Sequence, residues 1–227
     1  MTSVVVISAG VGTPSSTRML ADQMAQAVSD RLRVGDLTVE ITTLDLREIG
    51  MDITAAGLHG GRRSPTVERA NAALTVADAV IAVTPVFAGS YSGLFKSFFD
   101  VVDPAALRGT PVLVAATGGS QRHQLVLDHA LRPLFAYLGA MVLPTGIFAA
   151  TADFGTDPSQ TPALTERIGR AAQELTALIT ARETSAQAQE PLAVAPYRQR
   201  QDDLSHAESL EADGGLSDFG VLLPPLR

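Results

Sequence analysis

The stretch VVVISAGVGTPSSTR, residues 4–18, decides the fold that the sequence predicts. Its first part, residues 4–7, is a continuous run of β-branched apolar side chains, which is typical of a strand buried on both faces of a parallel sheet. Beyond the loop, apolar residues recur at helical spacing: Met19, Leu20, Met24, Ala27, Val28 and Leu32. The loop therefore joins a buried strand to a helix.

This first loop has the composition of an anion-binding site. Gly10 and Gly12 permit a tight turn, and Ser15 or Ser16 can cap the helix, so N–H groups and hydroxyls converge at its positive end. Such a cradle suits a phosphate, although the same composition also occurs where a strand only needs a turn and a helix cap. Neither the Walker pattern nor the dinucleotide fingerprint matches the loop. Its hydroxyl-rich form favours a mononucleotide phosphate of the flavin type.

Length and composition limit the class of protein. The 227 residues are 46% hydrophobic and include no cysteine, which excludes disulfides, thiolate metal sites and cysteine nucleophiles. We find no apolar run long enough to cross a membrane and no signal peptide pattern, so we expect a soluble, cytoplasmic protein. The net charge of −7 argues against nucleic acid and anionic membranes as partners. An acidic protein that binds phosphate must attract it locally.

The composition changes near residue 185, which predicts a domain over residues 1–184 and an extension over residues 185–227. Residues 186–227 hold seven acidic residues and three arginines. Apart from DFGVLLPPL at residues 218–226 the extension is polar, as flexible segments are. We expect it either to be flexible or to latch onto the body or a second subunit.

The rest of the chain alternates strand and helix patterns. Residues 47–65 are predicted as a long connection, in which Arg62 and Arg63 either meet a second ligand or are simply solvated. Strands are predicted over 38–46, 79–83, 110–116 and 140–148, and helices over 66–77, 94–102, 123–138 and 161–182. This alternation predicts a doubly wound α/β fold with a five-stranded parallel sheet of order 2-1-3-4-5 and helices on both faces.

Two further loops share the glycine and hydroxyl character of the first. Residues 84–93 follow the third strand, which Pro85 is expected to stop; Phe87 and Tyr91 there either cover the sheet or line a planar ligand. Residues 117–121 follow the fourth strand, and His123 comes next, either as a surface or cap residue or as a ligand-facing one. In the predicted order the loops after strands one, three and four are neighbours at one sheet edge. The resulting pocket would suit flavin mononucleotide.

The first loop, TPVFAGSYSGLFKSFFD at residues 84–100 and TGGSQRH at residues 117–123 together resemble the NAD(P)H-dependent FMN reductase family of the flavodoxin-like superfamily. The similarity covers residues 3–180, and its most specific part has the form T-P-x-[FY]-x-G-S-x-x-G-x-[FL]-K. Within the family, the chain is similar to reductases that supply reduced flavin to luciferase-like monooxygenases. The resemblance implies an enzyme that binds FMN and NAD(P)H, transfers hydride to flavin N5 and works as a homodimer or homotetramer.

The resemblance also assigns site residues by position. It implies that the FMN phosphate is held by Ser8, Ser15, Ser16, Thr17 and Arg18. It implies that the isoalloxazine is bordered by Pro85, Val86, Phe87, Ala88 and Gly89, and contacted at its edge by Thr117, Gly118, Gly119 and Ser120. No metal site and no acid–base side chain is predicted, because the flavin carries the electron chemistry.

The first loop departs from the common S-x-R-x-x-S form, since Gly10 stands two residues after Ser8 and no arginine is there. Arg18 is the predicted substitute for that charge. Two alternatives remain at this level: a quinone, azo-dye or metal-ion reductase with tightly bound FMN, and a flavodoxin-type electron carrier. FMN-dependent oxidation of NAD(P)H separates an enzyme from a carrier.

Overall fold

Seven strands form one sheet in the computed structural model, which describes residues 1–155 and 161–188. The strands are β1 (Thr2–Ser8), β2 (Val39–Asp45), β3 (Ala79–Phe87), β4 (Ser90–Tyr91), β5 (Pro111–Gly118), β6 (Met141–Val142) and β7 (Ile147–Ala150). The helices are α1 (Ser16–Val34), α2 (Gly50–Leu58), α3 (Pro65–Thr75), α4 (Gly93–Val101), α5 (Arg132–Tyr137) and α6 (Thr161–Ala188). Residues Met1–Ala186 form one compact unit. The predicted extension lies outside the described residues except for the end of α6, which continues beyond the predicted residue 182.

The strand order confirms the predicted doubly wound topology. Along the main path the order is β2-β1-β3-β5-β6, and β7 also pairs with β5. All these pairings are parallel; β4 alone among the described strands is antiparallel, to β3. If the short hairpin strand β4 is left out and β6 and β7 are counted as one interrupted strand, β5 becomes the fourth strand and β6 with β7 the fifth, which gives the predicted order 2-1-3-4-5.

Helices cover both faces of the sheet because alternate side chains of the central strands point in opposite directions. In β1, Val5 and Ile7 pack with residues of α2, α3, α4 and α5, whereas Val4 and Val6 pack with α1 and α6. All four side chains are fully buried. A strand buried on both faces was the first prediction from the sequence, and the two cores confirm it.

The fifth predicted strand, residues 140–148, is broken into β6 and β7 around Pro144. A proline has no N–H to donate to the sheet, which disfavours a continuous strand. The freed carbonyls are instead bonded by Arg132, whose guanidinium donates to Leu143 O at 2.6 Å and also to Pro144 O. The carbonyl groups at the break are therefore hydrogen-bonded by a side chain instead of by a neighbouring strand.

Residues 47–65 contain helix α2, so their prediction as a plain connection was wrong. The helix lacks the usual sequence signals: its N-cap is Ile49 with no side-chain hydrogen bond, and it includes two glycines. Burial of Ile53 and Ala56 in the core stabilises it. Tertiary packing thus overrides weak local propensity here.

Pro85 does not stop the third strand, because β3 continues to Phe87. Val83 O accepts a hydrogen bond of 3.0 Å from Ala9 N, so the backbone polar groups of Val83 point toward β1. The backbone nitrogen of Pro85, two positions on, points to the same side of the strand. On that side β1 has already ended at Ser8, opposite Val83. No ladder hydrogen bond is lost at the proline, and β3 then turns into a short hairpin with β4.

The helix predicted over residues 123–138 is divided in the structure. A 3-10 turn covers Gln121–His123, a π-helical turn covers Leu127–Leu131, and α5 follows directly. Its packing face is aromatic: Phe135 contacts Phe99 edge to face with ring centroids 5.0 Å apart. Of the helices in the described part of the chain, none is long and apolar enough to cross a membrane.

The turn of the β3–β4 hairpin allows the effect of a left-handed backbone on stability to be tested. Ala88 has φ +50° and Gly89 has φ +80°, while a Cβ at Gly89 would meet no atom within 4 Å. We expect Gly89→Ala to lower the free energy of unfolding by about 1 kcal/mol, because only the left-handed backbone opposes the new side chain. Urea unfolding of the flavin-free protein measures this.

Gly93 is the matched control, since it is equally open but has no positive φ. Gly93→Ala should leave stability unchanged or slightly raised, because alanine favours the helix that starts there. Equal effects of the two substitutions would contradict the assignment of strain to the hairpin turn.

Candidate functional site

Three loops meet at the carboxyl edge of the sheet because the three strands before them are adjacent and parallel. Ser8, at the end of β1, lies opposite Val83 of β3, and Pro85 of β3 lies opposite Thr117 of β5. The first loop (residues 8–17, including the first residues of α1), the β3–β4 hairpin and the third loop (residues 117–121) therefore lie side by side. The convergence expected from the strand order is present.

A direct side-chain bond joins the first and third loops. The hydroxyls of Thr17 and Thr117 are 2.7 Å apart although the residues are 100 positions apart in the chain, and both side chains are buried. Each hydroxyl satisfies the other in a place that water does not reach. The two threonines hold the start of α1 against the end of β5.

The first loop has the geometry of an anion cradle. Ser15 caps α1, its hydroxyl accepting a hydrogen bond of 3.2 Å from Arg18 N. Ser16 and Thr17 are in the first turn, where a helix offers its N–H groups no internal acceptor. A Cβ at Gly10 would lie 2.0 Å from Ser15 Oγ, so only glycine leaves room for this cap. Local sequence signals were sufficient to predict the serine cap of α1.

Ser8 has an unsatisfied buried hydroxyl. Its side chain is 1% exposed, and its Oγ is the one buried side-chain polar atom in the described residues without a hydrogen-bond partner. A buried polar group without a partner costs free energy. It stands at the end of β1, directly before the cradle, where a bound group could relieve it.

Arg18, the predicted phosphate cation, has two carboxylate partners in this structure. Its Nε donates to Asp22 at 2.8 Å, and its Nη1 is 3.5 Å from Asp45. The hydrogen bond to Asp22 raises the pKa of Arg18 above the usual arginine value, and Asp45 adds to the effect. The guanidinium stays charged, but its charge is shared by these two acids.

Arg47 is a basic residue of the site that the sequence prediction missed. It follows β2 and donates from Nη1 to Gly12 O at 3.2 Å and to Thr13 Oγ1 at 2.6 Å. Together with Gly10, Ser15 and Arg18 it lines a cavity of about 290 Å³ beside the first loop. Its position just after a strand adjacent to β1 was the available signal.

The β3–β4 hairpin is closed at its base by Thr84, another residue that the prediction did not single out. Its hydroxyl donates to Pro85 O and accepts from Ser92 N, each at 3.0 Å. Ser92 in turn caps α4. At the tip Phe87 is 48% exposed, and the neighbouring Ala88 and Gly89 are exposed as well. The predicted ring-bordering residues thus lie on a braced hairpin with an accessible tip.

The third loop packs closely against the hairpin. A Cβ at Gly118 would lie 2.9 Å from Phe148 Cζ and 3.8 Å from Val86 Cβ, so this position requires glycine. Gly119 is exposed and Ser120 is half-buried. The backbone of residues 118–120 is therefore close to the hairpin and available to a ligand.

Asp153 anchors Gln121, the last residue of the third loop. It is 3% exposed and accepts hydrogen bonds from Gln121 Nε2 at 2.8 Å, Ala150 N at 2.7 Å and Arg167 Nη2 at 2.7 Å. The ion pair with Arg167 balances the buried charge. Sequence reasoning missed this network because its members are far apart in the chain.

Other candidate residues have structural partners or lie at the surface. Arg63 donates from Nε to Val101 O at 2.6 Å and pairs with Glu68, while Arg62 is exposed. Lys96 pairs with Asp100 one helical turn away. His123 is exposed on the 3-10 turn. No cluster of metal-ligating side chains occurs in the described residues.

The chemistry of these groups fits a phosphorylated flavin. The first loop offers free helix N–H groups, a glycine cradle and an unsatisfied hydroxyl, which suit a phosphate. The adjacent hairpin and third loop offer an exposed aromatic ring and accessible backbone, which suit a planar ring system. Fold and site together define a flavodoxin-like protein of the flavin-binding type.

Comparison with known proteins then gives the family. The model of the family described as "NADPH-dependent FMN reductase" matches residues 2–155, which include all three loops. The chain belongs to this family. It is an NAD(P)H:FMN oxidoreductase, and FMN and NAD(P)H are its substrates or cofactors, as the resemblance of the motifs implied.

Relatives and solved structures agree with this assignment. The chain is 41% identical over 170 residues to the NADH-dependent FMN reductase SfnF of Pseudomonas fluorescens, covering 75% of this chain and 88% of the relative. It is 37% identical over 182 residues to an FMN reductase (NADPH) of Pseudomonas aeruginosa, covering 79% of this chain and 93% of the relative. An oxidoreductase from Corynebacterium diphtheriae is 45% identical with a TM-score of 0.76, over 80% of this chain and 98% of that one.

The hydrogen bond between Thr17 and Thr117 predicts that substitutions at the two residues have coupled effects on stability. We expect Thr17→Val to lower the free energy of unfolding by about 1 to 2 kcal/mol, because it leaves the Thr117 hydroxyl buried without a partner. The double variant, with Thr17→Val and Thr117→Val, should lose less free energy of unfolding than the two single variants lose in total. Urea denaturation of all three variants gives the coupling.

Thr180 provides the control, since its hydroxyl bonds only to Thr176 O in the same helix. Thr180→Val should change stability by no more than about 0.5 kcal/mol. Strictly additive effects of the Thr17 and Thr117 changes would contradict a bond that holds the two loops together.

Proposed function

We propose that FMN binds at the carboxyl edge of the sheet and is reduced there by NAD(P)H. The observation that carries this proposal is the convergence of the first loop, the β3–β4 hairpin and the third loop on one edge. The proposed contacts are those predicted by position: Ser8, Ser15, Ser16, Thr17 and Arg18 at the phosphate; Pro85, Val86, Phe87, Ala88 and Gly89 beside the ring; and Thr117, Gly118, Gly119 and Ser120 at its edge.

In this proposal the first loop binds the phosphate through its backbone and hydroxyls. The first-turn N–H groups of α1 point along the helix axis, where the helix dipole favours a negative charge. Ser15 Oγ already bonds one of these N–H groups, that of Arg18, and Ser16 is exposed in the same turn. Thr17 keeps the loop in place through its bond to Thr117.

The hairpin and the third loop orient the ring system. When bound, FMN supplies the redox chemistry by accepting a hydride from the nicotinamide ring at N5. The protein's part is to hold the two rings close together and to donate backbone N–H groups toward the reduced ring. The braced hairpin and the Asp153-anchored third loop provide a rigid edge for this purpose. The proposal assigns no acid–base side chain.

We further propose that reduced FMN is passed to a separate two-component monooxygenase. Support comes from the similarity of the chain to reductases of such systems, and from the names of the relatives, which make FMN the molecule reduced. A tightly held prosthetic group, as in the quinone, azo-dye or metal-ion reductase alternative, would not leave. Release of the flavin during turnover therefore separates the two.

We also propose a homodimer or homotetramer in the cytoplasm, where NAD(P)H is available. In support of an oligomer, three large apolar side chains between residues 125 and 141 lie at the surface: Leu125 is 55%, Tyr137 86% and Met141 46% exposed. Their burial against another protein surface would be favourable. Sedimentation of the purified protein measures the oligomeric state.

The decisive experiment is oxidation of NADH and NADPH, followed separately with and without added FMN. We expect at least one of the two to be consumed only when FMN is present, with a rate that saturates in FMN as a substrate does. Consumption of neither would overturn the proposed function. A purified protein that stays yellow and passes electrons to quinones without added FMN would favour the bound-flavin alternative.

Gly10 gives a variant that tests where the phosphate binds. Gly10→Ala would place a Cβ 2.0 Å from Ser15 Oγ, so the helix cap must move. We expect FMN to bind at least about tenfold more weakly, because the N–H groups of the cradle lose their alignment. Quenching of flavin fluorescence on titration with protein measures the affinity.

Gly57→Ala, where the new Cβ would make only an ordinary contact of 4.0 Å with Val101, is the control and should bind FMN as the parent protein does. If Gly10→Ala also binds FMN with parental affinity, the phosphate does not occupy the first loop.

A further inference from the structure

The first loop has too little positive charge for the dianionic phosphate that it is proposed to bind. Between Ser8 and Thr17 the sequence contains no arginine, lysine or histidine, and the whole chain carries a net charge of −7. Asp45, 11% exposed in its side chain, and Glu48 both line the cavity beside the loop. A phosphate entering there needs a cation that outweighs these carboxylates.

Arg18 is poorly placed to be that cation by itself. Its Nε and Nη1 are directed at Asp22 and Asp45, so its charge is largely balanced within the protein. Turning it toward a phosphate would leave Asp45, which is mostly buried, without this partner. Loss of one partner from a partly buried ion pair is costly.

Arg47 has the properties that Arg18 lacks. In the described residues its guanidinium has no carboxylate within ion-pair distance, and it reaches the loop through one nitrogen, Nη1. Those bonds, to Gly12 O and Thr13 Oγ1, fix the guanidinium on the loop and leave Nε and Nη2 as further donors. Its own backbone N–H is held by Asp45 Oδ1 at 3.2 Å. Both the backbone and the guanidinium of Arg47 are therefore hydrogen-bonded beside the cradle.

We propose that Arg47, contributed by the segment after β2, supplies the phosphate-binding charge that the first loop itself lacks. This proposal rests on the proposed binding of FMN at the first loop and names the cation of that site. Arg47 acts on the phosphate, and through Gly12 and Thr13 it also fixes the loop around it. Arg18 stays at the loop as a neighbour whose charge is held by Asp22 and Asp45.

The test compares FMN with riboflavin, which has the same ring system without the phosphate. The affinity of each flavin for the full-length protein is measured by fluorescence quenching, in the absence of NAD(P)H. We expect Arg47→Gln to weaken FMN binding by about tenfold or more, because a charge-assisted hydrogen bond is lost, and to leave riboflavin binding unchanged. The salt dependence of FMN binding should also decrease.

Three further variants make the outcome specific. Arg47→Lys keeps the charge and should retain more FMN affinity than Arg47→Gln. Arg18→Gln should have a smaller effect than Arg47→Gln, and Arg62→Gln, at an exposed arginine away from the loop, should have none. Circular dichroism and urea unfolding confirm that each variant is folded.

The possible results separate this proposal from the proposed function. Parental FMN affinity in Arg47→Gln, an equal loss of riboflavin and FMN affinity, or a larger effect of Arg18→Gln would each overturn the role of Arg47 while leaving the FMN reductase intact. Failure of the unchanged protein to bind FMN, or to prefer it over riboflavin, would instead overturn the proposed phosphate site.

Discussion

The site depends on the parallel pairing of three neighbouring strands. Because β1, β3 and β5 run in the same direction and in close register, the segments that follow them leave the sheet at one edge, as Ser8 opposite Val83 and Pro85 opposite Thr117 show. Every functional contact described above follows from that alignment, including the bond between Thr17 and Thr117. The buried cores on both sides of the sheet maintain it, since shifting any of these strands would expose apolar side chains.

Electrostatics at this edge are local. The chain as a whole repels anions, so affinity for a phosphate must come from groups within a few ångströms of it: helix N–H groups, hydroxyls and a nearby guanidinium. The structure divides the basic residues accordingly. Arg18 is held by two carboxylates, Arg63 caps α4, Arg132 bonds the carbonyls at the strand break, and Arg167 neutralises Asp153. Arg47 differs from these because, within the part of the chain that the structure describes, its guanidinium bonds to the first loop and to no carboxylate.

The fold was largely predictable because its signals are local. Continuous apolar runs such as residues 4–7 and 79–83, and the Ser15, Ser64 and Ser92 helix caps, specify strands and helix starts within a few residues. Prediction failed where neighbours distant in sequence decide the outcome. Helix α2 forms because Ile53 and Ala56 are buried, and β3 passes through Pro85 because β1 ends beside it. Neither fact can be read from the residues themselves.

The sequence alone determined the doubly wound sheet, the glycine and hydroxyl character of the three loops, and the resemblance that the family comparison confirmed. Only the tertiary structure decided which groups stand beside those loops: the hydrogen bond between the hydroxyls of Thr17 and Thr117, the Asp153 anchor, and Arg47 beside the first loop, with no carboxylate of the described residues within ion-pair distance. The physical reason is the sequence distance over which each kind of interaction acts. Strand, helix and turn preferences act over a few residues, whereas hydrogen bonds and charge interactions at the site join residues that only the folded sheet brings together.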